Sequence, residues 1–231
     1  MKAMILAAGK GERMRPLTLR TPKPLLEVGE RPLIDYHVRK LADAGITDLV
    51  INTAWLGEQI EASLGDGSHY GVRIQYSREG TPLETAGGIR HALHLLTEQG
   101  EECFMVINGD IWTDFDPGHL KAMRCDREWP AAIVLVDNPV HHPEGDFVLD
   151  ADGIVHNRGE HKALTFAGIS LLHSSLISSA AERENRLGAL LAALADQGRL
   201  RGIHHQGAWF DVGTPERLTQ VDQYVQENAS P

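Results

Sequence analysis

Four charged side chains stand where a chain can do phosphate chemistry: Arg13 and Lys23 near the start, Asp110 mid-chain and Asp211 near the end. Arg13 follows a glycine-rich turn, Leu6-Ala7-Ala8-Gly9-Lys10-Gly11. Gly9 and Gly11 carry no side chain, so backbone N–H groups there can face phosphate oxygens. Arg13 can reach the same oxygens with its planar fork, and Lys23, restrained between Pro22 and Pro24, is a point charge. The plainer reading makes them solvated surface residues, but a glycine loop beside them at a strand end weighs against it. Asp110 ends Asn108-Gly109-Asp110, directly after the apolar run Cys103 to Ile107. A carboxylate there suits Mg²⁺, which takes one or two carboxylates plus substrate phosphates. It equally suits a turn cap, and Asp110 alone does not separate the two. Asp211 lies in Trp209-Phe210-Asp211, and Thr214 and Pro215 behind it already supply a helix N-cap and first position. Asp211 is therefore free to share one Mg²⁺ with Asp110.

The opening loop departs from two phosphate-binding patterns. Met14 stands where a dinucleotide fingerprint places its third glycine, and Pro16 interrupts the helix that should follow. The phosphates must be held without a helix N-terminus directly behind the loop.

Something rigid must position these residues. Lys2 to Ala8 reads as a buried first strand, and Pro32 to Ala44 as a helix stopped by Gly45. A strand over 49–52, a helix through 58–64, a strand over 72–76, a helix over 88–96 and strands over 103–108 and 131–136 follow. Alternating strands and helices imply βαβ units. The fold expected is α/β: a doubly wound, mostly parallel, Rossmann-like mixed sheet flanked by helices. Beyond Asp137 the pattern changes to a hairpin over 146–157, a strand over 164–172, a helix over 187–195, a strand over 200–205 and a closing helix over 215–226. No linker or repeat separates the halves, so residues 1–231 read as one domain. Residues 1–115 form its nucleotide part and 116–231 its acceptor part, the later strands making a mixed edge or lid. Ligands of such sheets bind at strand carboxyl ends, where the glycine loop and Asn108-Gly109-Asp110 both fall.

Composition excludes several classes. The formal net charge of -10 argues against a nucleic-acid or anionic-membrane binder, both of which need a basic face. The 2 cysteines offer neither a metal spacing nor a disulfide framework. The N-terminal apolar run is too short to cross a membrane and lacks a cleavage pattern, so a cytoplasmic location is expected. The pairs His141-His142 and His204-His205 lack helical metal spacing and read as surface or edge-strand residues.

Leu-Ala-Ala-Gly-Lys-Gly-Glu-Arg with Pro-Lys-Pro, the Asn-Gly-Asp strand end and Trp-Phe-Asp-Val-Gly-Thr-Pro-Glu together resemble the sugar-phosphate nucleotidylyltransferases. The resemblance spans nearly the whole chain. It implies a nucleotidyltransferase fold and transfer of a nucleoside monophosphate to a sugar 1-phosphate, with release of pyrophosphate. It also implies Mg²⁺ on Asp110 and Asp211, and Lys23 at the sugar phosphate or α-phosphate. Within the family the short chain is most similar to the branch that uridylylates N-acetylmuramate 1-phosphate in bacterial cell-wall recycling, as a monomer or small homo-oligomer. Alternatives are a guanylyltransferase on mannose 1-phosphate, a uridylyl- or thymidylyltransferase on glucose 1-phosphate, a CTP-using enzyme on a phospho-alcohol, and a non-catalytic nucleotide-binding regulator.

Further contacts follow as expectations. Leu6, Ala7, Ala8, Gly9, Gly11, Arg13 and Asn108 would surround the nucleotide. The stretch Ser77 to Ile89 is similar to the family's base-reading segment, with Glu84 in place of a glycine. Gly87 would offer its N–H to a base carbonyl, Thr85 would contact the nucleotide, and Glu79 would accept from uracil or equally from guanine; the plainer reading is that Thr85 to Gly88 only starts a helix, and UTP is implied by the resemblance. For the sugar phosphate, Lys23, Asn157, Arg158, Lys162 and Gly168 are candidates. Arg158, His161 and Lys162 are the cations expected to meet a lactyl carboxylate.

Overall fold

The computed structural model describes residues 1–159, 162–181 and 184–228. Strand β1 (Lys2–Leu6) enters a long loop of three short 3-10 turns, then the paired β2 (Glu27–Val28) and β3 (Arg31–Pro32). Helices and strands then alternate: α1 (Leu33–Asp43), β4 (Asp48–Thr53), α2 (Gly57–Leu64), β5 (Arg73–Arg78), α3 (Glu84–Leu96) and β6 (Cys103–Asn108). Next come β7 (Ile111–Thr113), α4 (Pro117–Lys121), β8 (Ala131–Val136) and the hairpin β9 (Phe147–Leu149) and β10 (Val155–Asn157). The chain closes with β11 (Thr165–His173), α5 (Ser174–Ser179), α6 (Leu187–Asp196), β12 (Leu200–His205), β13 (Trp209–Asp211) and α7 (Pro215–Asn228).

The main sheet has 7 strands in the order β12-β8-β11-β6-β1-β4-β5. Strand β1 lies between β6 and β4, parallel to both, and β5 extends the parallel set. The expected doubly wound, mostly parallel mixed sheet is what forms. Its strands alternate as pleating requires. Phe104 and Val106 of β6 face one hydrophobic layer with α3, α5 and α6 residues; Met105 and Ile107 face the other, with α1 and α2 residues.

The later strands β11, β8 and β12 make up one side of the sheet, with mixed directions. Strand β11 runs antiparallel between β6 and β8, and β12 is the edge strand on that side. The run over 164–172 is apolar because it is covered on both faces, and such a run reports burial, not direction or neighbours. The return through β9 and β10 reverses the chain, so β11 enters from the opposite end. His204 and His205 do lie on the edge strand β12.

A third apolar cluster explains the odd residues of the opening loop. Met14 is fully buried with Leu26, Val28 and Leu33 from the loop side, Trp112 and Val212 from β7 and the segment after β13, and Val221 from α7. Asp222 of α7 accepts from the Gly29 N–H at 2.7 Å. The loop therefore owes its shape to packing under the last helix. A methionine at position 14 serves as a core anchor where a glycine would leave a void.

Candidate active site

The strand carboxyl ends converge on a cavity of about 460 Å³. Leu6, Ala7, Ala8, Gly9, Gly11, Arg13 and Lys23 line it from the β1 loop, Asn108 and Asp110 from the end of β6, and Glu79 and Thr85 from the β5–α3 connection. Eleven of the residues singled out from sequence are thus brought together by three strand ends.

The loop's free donors are informative. Ala7 N–H donates to Asn52 Oδ1 at 2.8 Å. The N–H groups of Ala8, Gly9, Lys10 and Gly11, next along the chain, find no acceptor among the described residues. Ala8 is 6% exposed, and a buried donor without a partner costs about 1–3 kcal/mol unless a ligand supplies one. Consecutive N–H groups of this kind make an anion-binding concavity. Lys23, 8% exposed, sits beside them with its Nζ 2.6 Å from Asp110 Oδ2. Asp110 keeps its place through Gly109: the Gly109 N–H donates to Leu6 O at 2.9 Å, and a Cβ there would lie 2.6 Å from that oxygen. A side chain at 109 would force the β6 end away from the β1 loop.

Asp211 does not line the cavity, but its strand brings it next to Asp110. Strand β13 pairs antiparallel with β7, Asp211 opposite Ile111, and the Val212 N–H donates to Asp110 O at 2.9 Å. Both carboxylates carry a protein cation. Asp211 Oδ2 is paired with Arg217 Nη1, and His141 Nε2 stands 3.3 Å from the same oxygen. Two carboxylate groups on adjacent strand ends fit a hard cation that completes its shell with phosphate oxygens and water. Among the described residues no cluster of three or more His, Cys, Asp or Glu offers a self-sufficient metal cage.

Glu79 lines the cavity and is 6% exposed: Oε1 accepts from Asn52 Nδ2 at 2.7 Å and Oε2 from the Leu83 N–H at 2.9 Å. It braces the β5–α3 connection. The Gly87 N–H is turned away to the Asn185 carbonyl at 3.3 Å, and Gly87 lies outside the cavity lining. Thr85 Oγ1 accepts from the Leu187 N–H at 2.8 Å, tying α3 to α6. Sequence reasoning missed Asn52, which ends its apolar strand run as Asn108 ends β6; the same strand-end rule would have found it.

The acceptor-side candidates are mostly elsewhere. Asn157 donates to Ala192 O at 2.9 Å and Asp196 Oδ1 at 2.6 Å, capping the end of α6. Arg158 pairs with Glu144 and Lys162 is exposed; neither lines the cavity. The β9–β10 hairpin turns its end toward α6, a direction that residue type does not encode. His161 lies outside the described residues. Gly168 packs against the Asn108 side chain, where a Cβ would meet Nδ2 at 2.7 Å, so its close approach is to Asn108.

Glu84 opens α3 with φ 60, a left-handed conformation that suits the glycine it replaces. A side chain there costs about 1–2 kcal/mol, offset in part by glycine's greater unfolded-state freedom. Glu84→Gly should therefore stabilise the chain by about 0.5–1 kcal/mol, read as a higher urea unfolding midpoint with unchanged slope. A lower midpoint would show that the Glu84 side chain makes a compensating contact.

His37 on α1 is buried beneath the strand end. Burial drives its pKa down from 6.5 to about 4, against a hydrogen bond to the Ile111 backbone and the nearby Asp110 charge. An unfolded histidine takes up a proton near pH 6.5, whereas the folded one resists until about pH 4. Its contribution is complete above pH 6.5 and lost as the pH falls to 4. Urea midpoints followed through that window should fall more steeply for the wild type than for His37→Gln; parallel curves would refute the assignment.

Comparison with known proteins agrees with this geometry. The nucleotidyl transferase family model matches residues 2–155. The chain is 48% identical to the N-acetylmuramate alpha-1-phosphate uridylyltransferase of Neisseria meningitidis serogroup B, covering 96% of each. It is 34% identical to the enzyme of the same description from Caulobacter vibrioides, covering 97% of each. A zebrafish (Danio rerio) mannose-1-phosphate guanylyltransferase catalytic subunit beta is 31% identical over 98% of this chain and 65% of its own length. Among solved structures, a putative glucose-1-phosphate thymidylyltransferase from Bacillus anthracis, in complex with a sucrose, superposes with a TM-score of 0.81 at 26% identity, covering 100% of this chain and 97% of the other. This chain belongs to the nucleotidyl transferase family and is a sugar-1-phosphate nucleotidyltransferase enzyme.

Proposed function

We propose that the chain transfers UMP from UTP to N-acetylmuramate 1-phosphate, releasing pyrophosphate and UDP-N-acetylmuramate, in peptidoglycan recycling in the cytoplasm, as a monomer or small homo-oligomer. The observation that carries nucleotide transfer is the run of four N–H groups, Ala8 to Gly11, without an acceptor among the described residues, beside the ion pair of the buried Lys23 with Asp110. The choice of uridylyl and muramate rests on the relatives from Neisseria meningitidis and Caulobacter vibrioides, which match this chain nearly end to end. The described helices are too short or too polar to cross a membrane.

The reaction is an in-line displacement at the α-phosphorus by a phosphate oxygen of the sugar, so the protein's task is to position two anions and offset their charge. The loop N–H groups hold the triphosphate. Arg13 reaches over it, and Lys23 sits where charge develops as pyrophosphate leaves. Asp110 and Asp211 would hold Mg²⁺, which when bound neutralises charge on both phosphates. Glu79 keeps the β5–α3 connection rigid against the base, while Pro82 and Leu83 give it an apolar wall.

Pyrophosphate release measured across UTP, GTP, dTTP and CTP, each with N-acetylmuramate, mannose and glucose 1-phosphates, tests the reading. Highest kcat/KM with UTP and N-acetylmuramate 1-phosphate is expected. A preference for another pair moves the enzyme to that branch, and binding without turnover in Mg²⁺ would make it a regulator.

A further inference from the structure

We infer that Arg217, backed by His141, is the residue that recognises the carboxylate of an acid-bearing sugar 1-phosphate. The inference rests on the function proposed above and deepens it. Sheet order gives the two sides of the cavity. Strands β4 and β5 and the start of α3 lie on one side of β1, with the base-facing wall of Pro82 and Leu83. Strands β6, β11 and β8 lie on the other, and the acceptor must enter from there. His141 belongs to the loop that follows β8, and Arg217 to the first turn of α7, beyond Asp211. Their side chains meet on that far side, with Arg217 Nη1 2.7 Å from His141 Nε2.

The guanidinium is preset for a planar anion. It is largely buried, its side chain 15% exposed, and Nη1 is engaged by Asp211 and His141. Nε and Nη2 have no acceptor among the described residues, which leaves one edge of the fork open. Nη2 crosses directly over Gly213, which lines the cavity, in space that a Cβ would occupy. A carboxylate accepting from both Nε–H and Nη2–H makes a bidentate, charge-assisted pair. Meanwhile Asp211 and His141 fix the rest of the group, so little side-chain freedom is lost on binding.

Arg217→Lys tests this while keeping a positive charge beside Asp211. Steady-state rates are measured with UTP and Mg²⁺ on N-acetylmuramate 1-phosphate and on N-acetylglucosamine 1-phosphate, which lacks the lactyl acid. Inhibition by unphosphorylated N-acetylmuramate is measured in parallel. The ratio of kcat/KM for the acid-bearing over the neutral acceptor should fall about 10-fold or more, mostly through KM, and the inhibition should weaken to match. Equal losses on both acceptors with unchanged inhibition would overturn the inference and leave Arg217 as a support for Asp211. If the wild type itself fails on N-acetylmuramate 1-phosphate but uses another acceptor, the proposed function fails, and the carboxylate assignment with it.

Discussion

Asp110→Asn should cut kcat/KM for nucleotide transfer by at least about 10³-fold while the fold survives. The side chain is 40% exposed at a strand end, and asparagine keeps its shape, so thermal unfolding should move little. The loss is electrostatic. Asp110 is the anion that holds the Lys23 ammonium at 2.6 Å and one of the two carboxylates available to a divalent cation. An amide has no charge for either task and turns an N–H₂ group toward the ammonium in one of its two orientations. Pyrophosphate release across Mg²⁺ concentrations is the readout. Activity within tenfold of wild type would remove Asp110 from the chemistry and leave it as the turn cap that the sequence equally allows.

Lys23→Ala should lower kcat by about 10²–10³-fold with a smaller change in KM for UTP. Lys23 is buried, and its backbone is restrained by Pro22 and Pro24 in a 3-10 turn whose Leu25 packs against the core shared with α1 and α2. Its ammonium is therefore held in place before substrate arrives, as transition-state stabilisation requires. Truncation removes that charge and leaves Asp110 without its partner. Steady-state kinetics with varied UTP at saturating acceptor separate the two effects. A rise in KM with kcat unchanged would make Lys23 a ground-state binder of the triphosphate. Lys23→Arg should not restore full activity, because a broad planar fork cannot sit in a space that fits a compact ammonium.

Much of the site was legible in the sequence because it is local. Leu6 to Arg13, Asn108 to Asp110 and the strands that end there are contiguous, and an apolar run ending in a polar turn places its last residues at a sheet edge whatever the neighbouring strands are. Asp110 and Asp211 stand on neighbouring strand ends, as two such runs imply. What local reasoning lost was direction. Gly87 has an N–H that a base carbonyl could accept from, yet that N–H is turned to the Asn185 carbonyl. Arg158 has the right charge for an acid, yet its hairpin carries it to Glu144. Nothing in the sequence marks Arg217, since an arginine in the first turn of an amphipathic helix is ordinarily solvated.

By itself, then, the sequence determined the α/β class, the central strands, the helix stops and the glycine-rich loop at the first strand's end, because periodicity, glycine and proline act over a few residues. Only the tertiary structure decided that β11 runs antiparallel through the middle of the sheet and that Met14 is a core residue under α7. It alone set Arg217 over Gly213, beside Asp211. Each of these depends on contacts between segments far apart in the chain. Their energies come from burying shared surface and pairing charges across it, and residue spacing along one segment carries no record of which distant segment will be the partner.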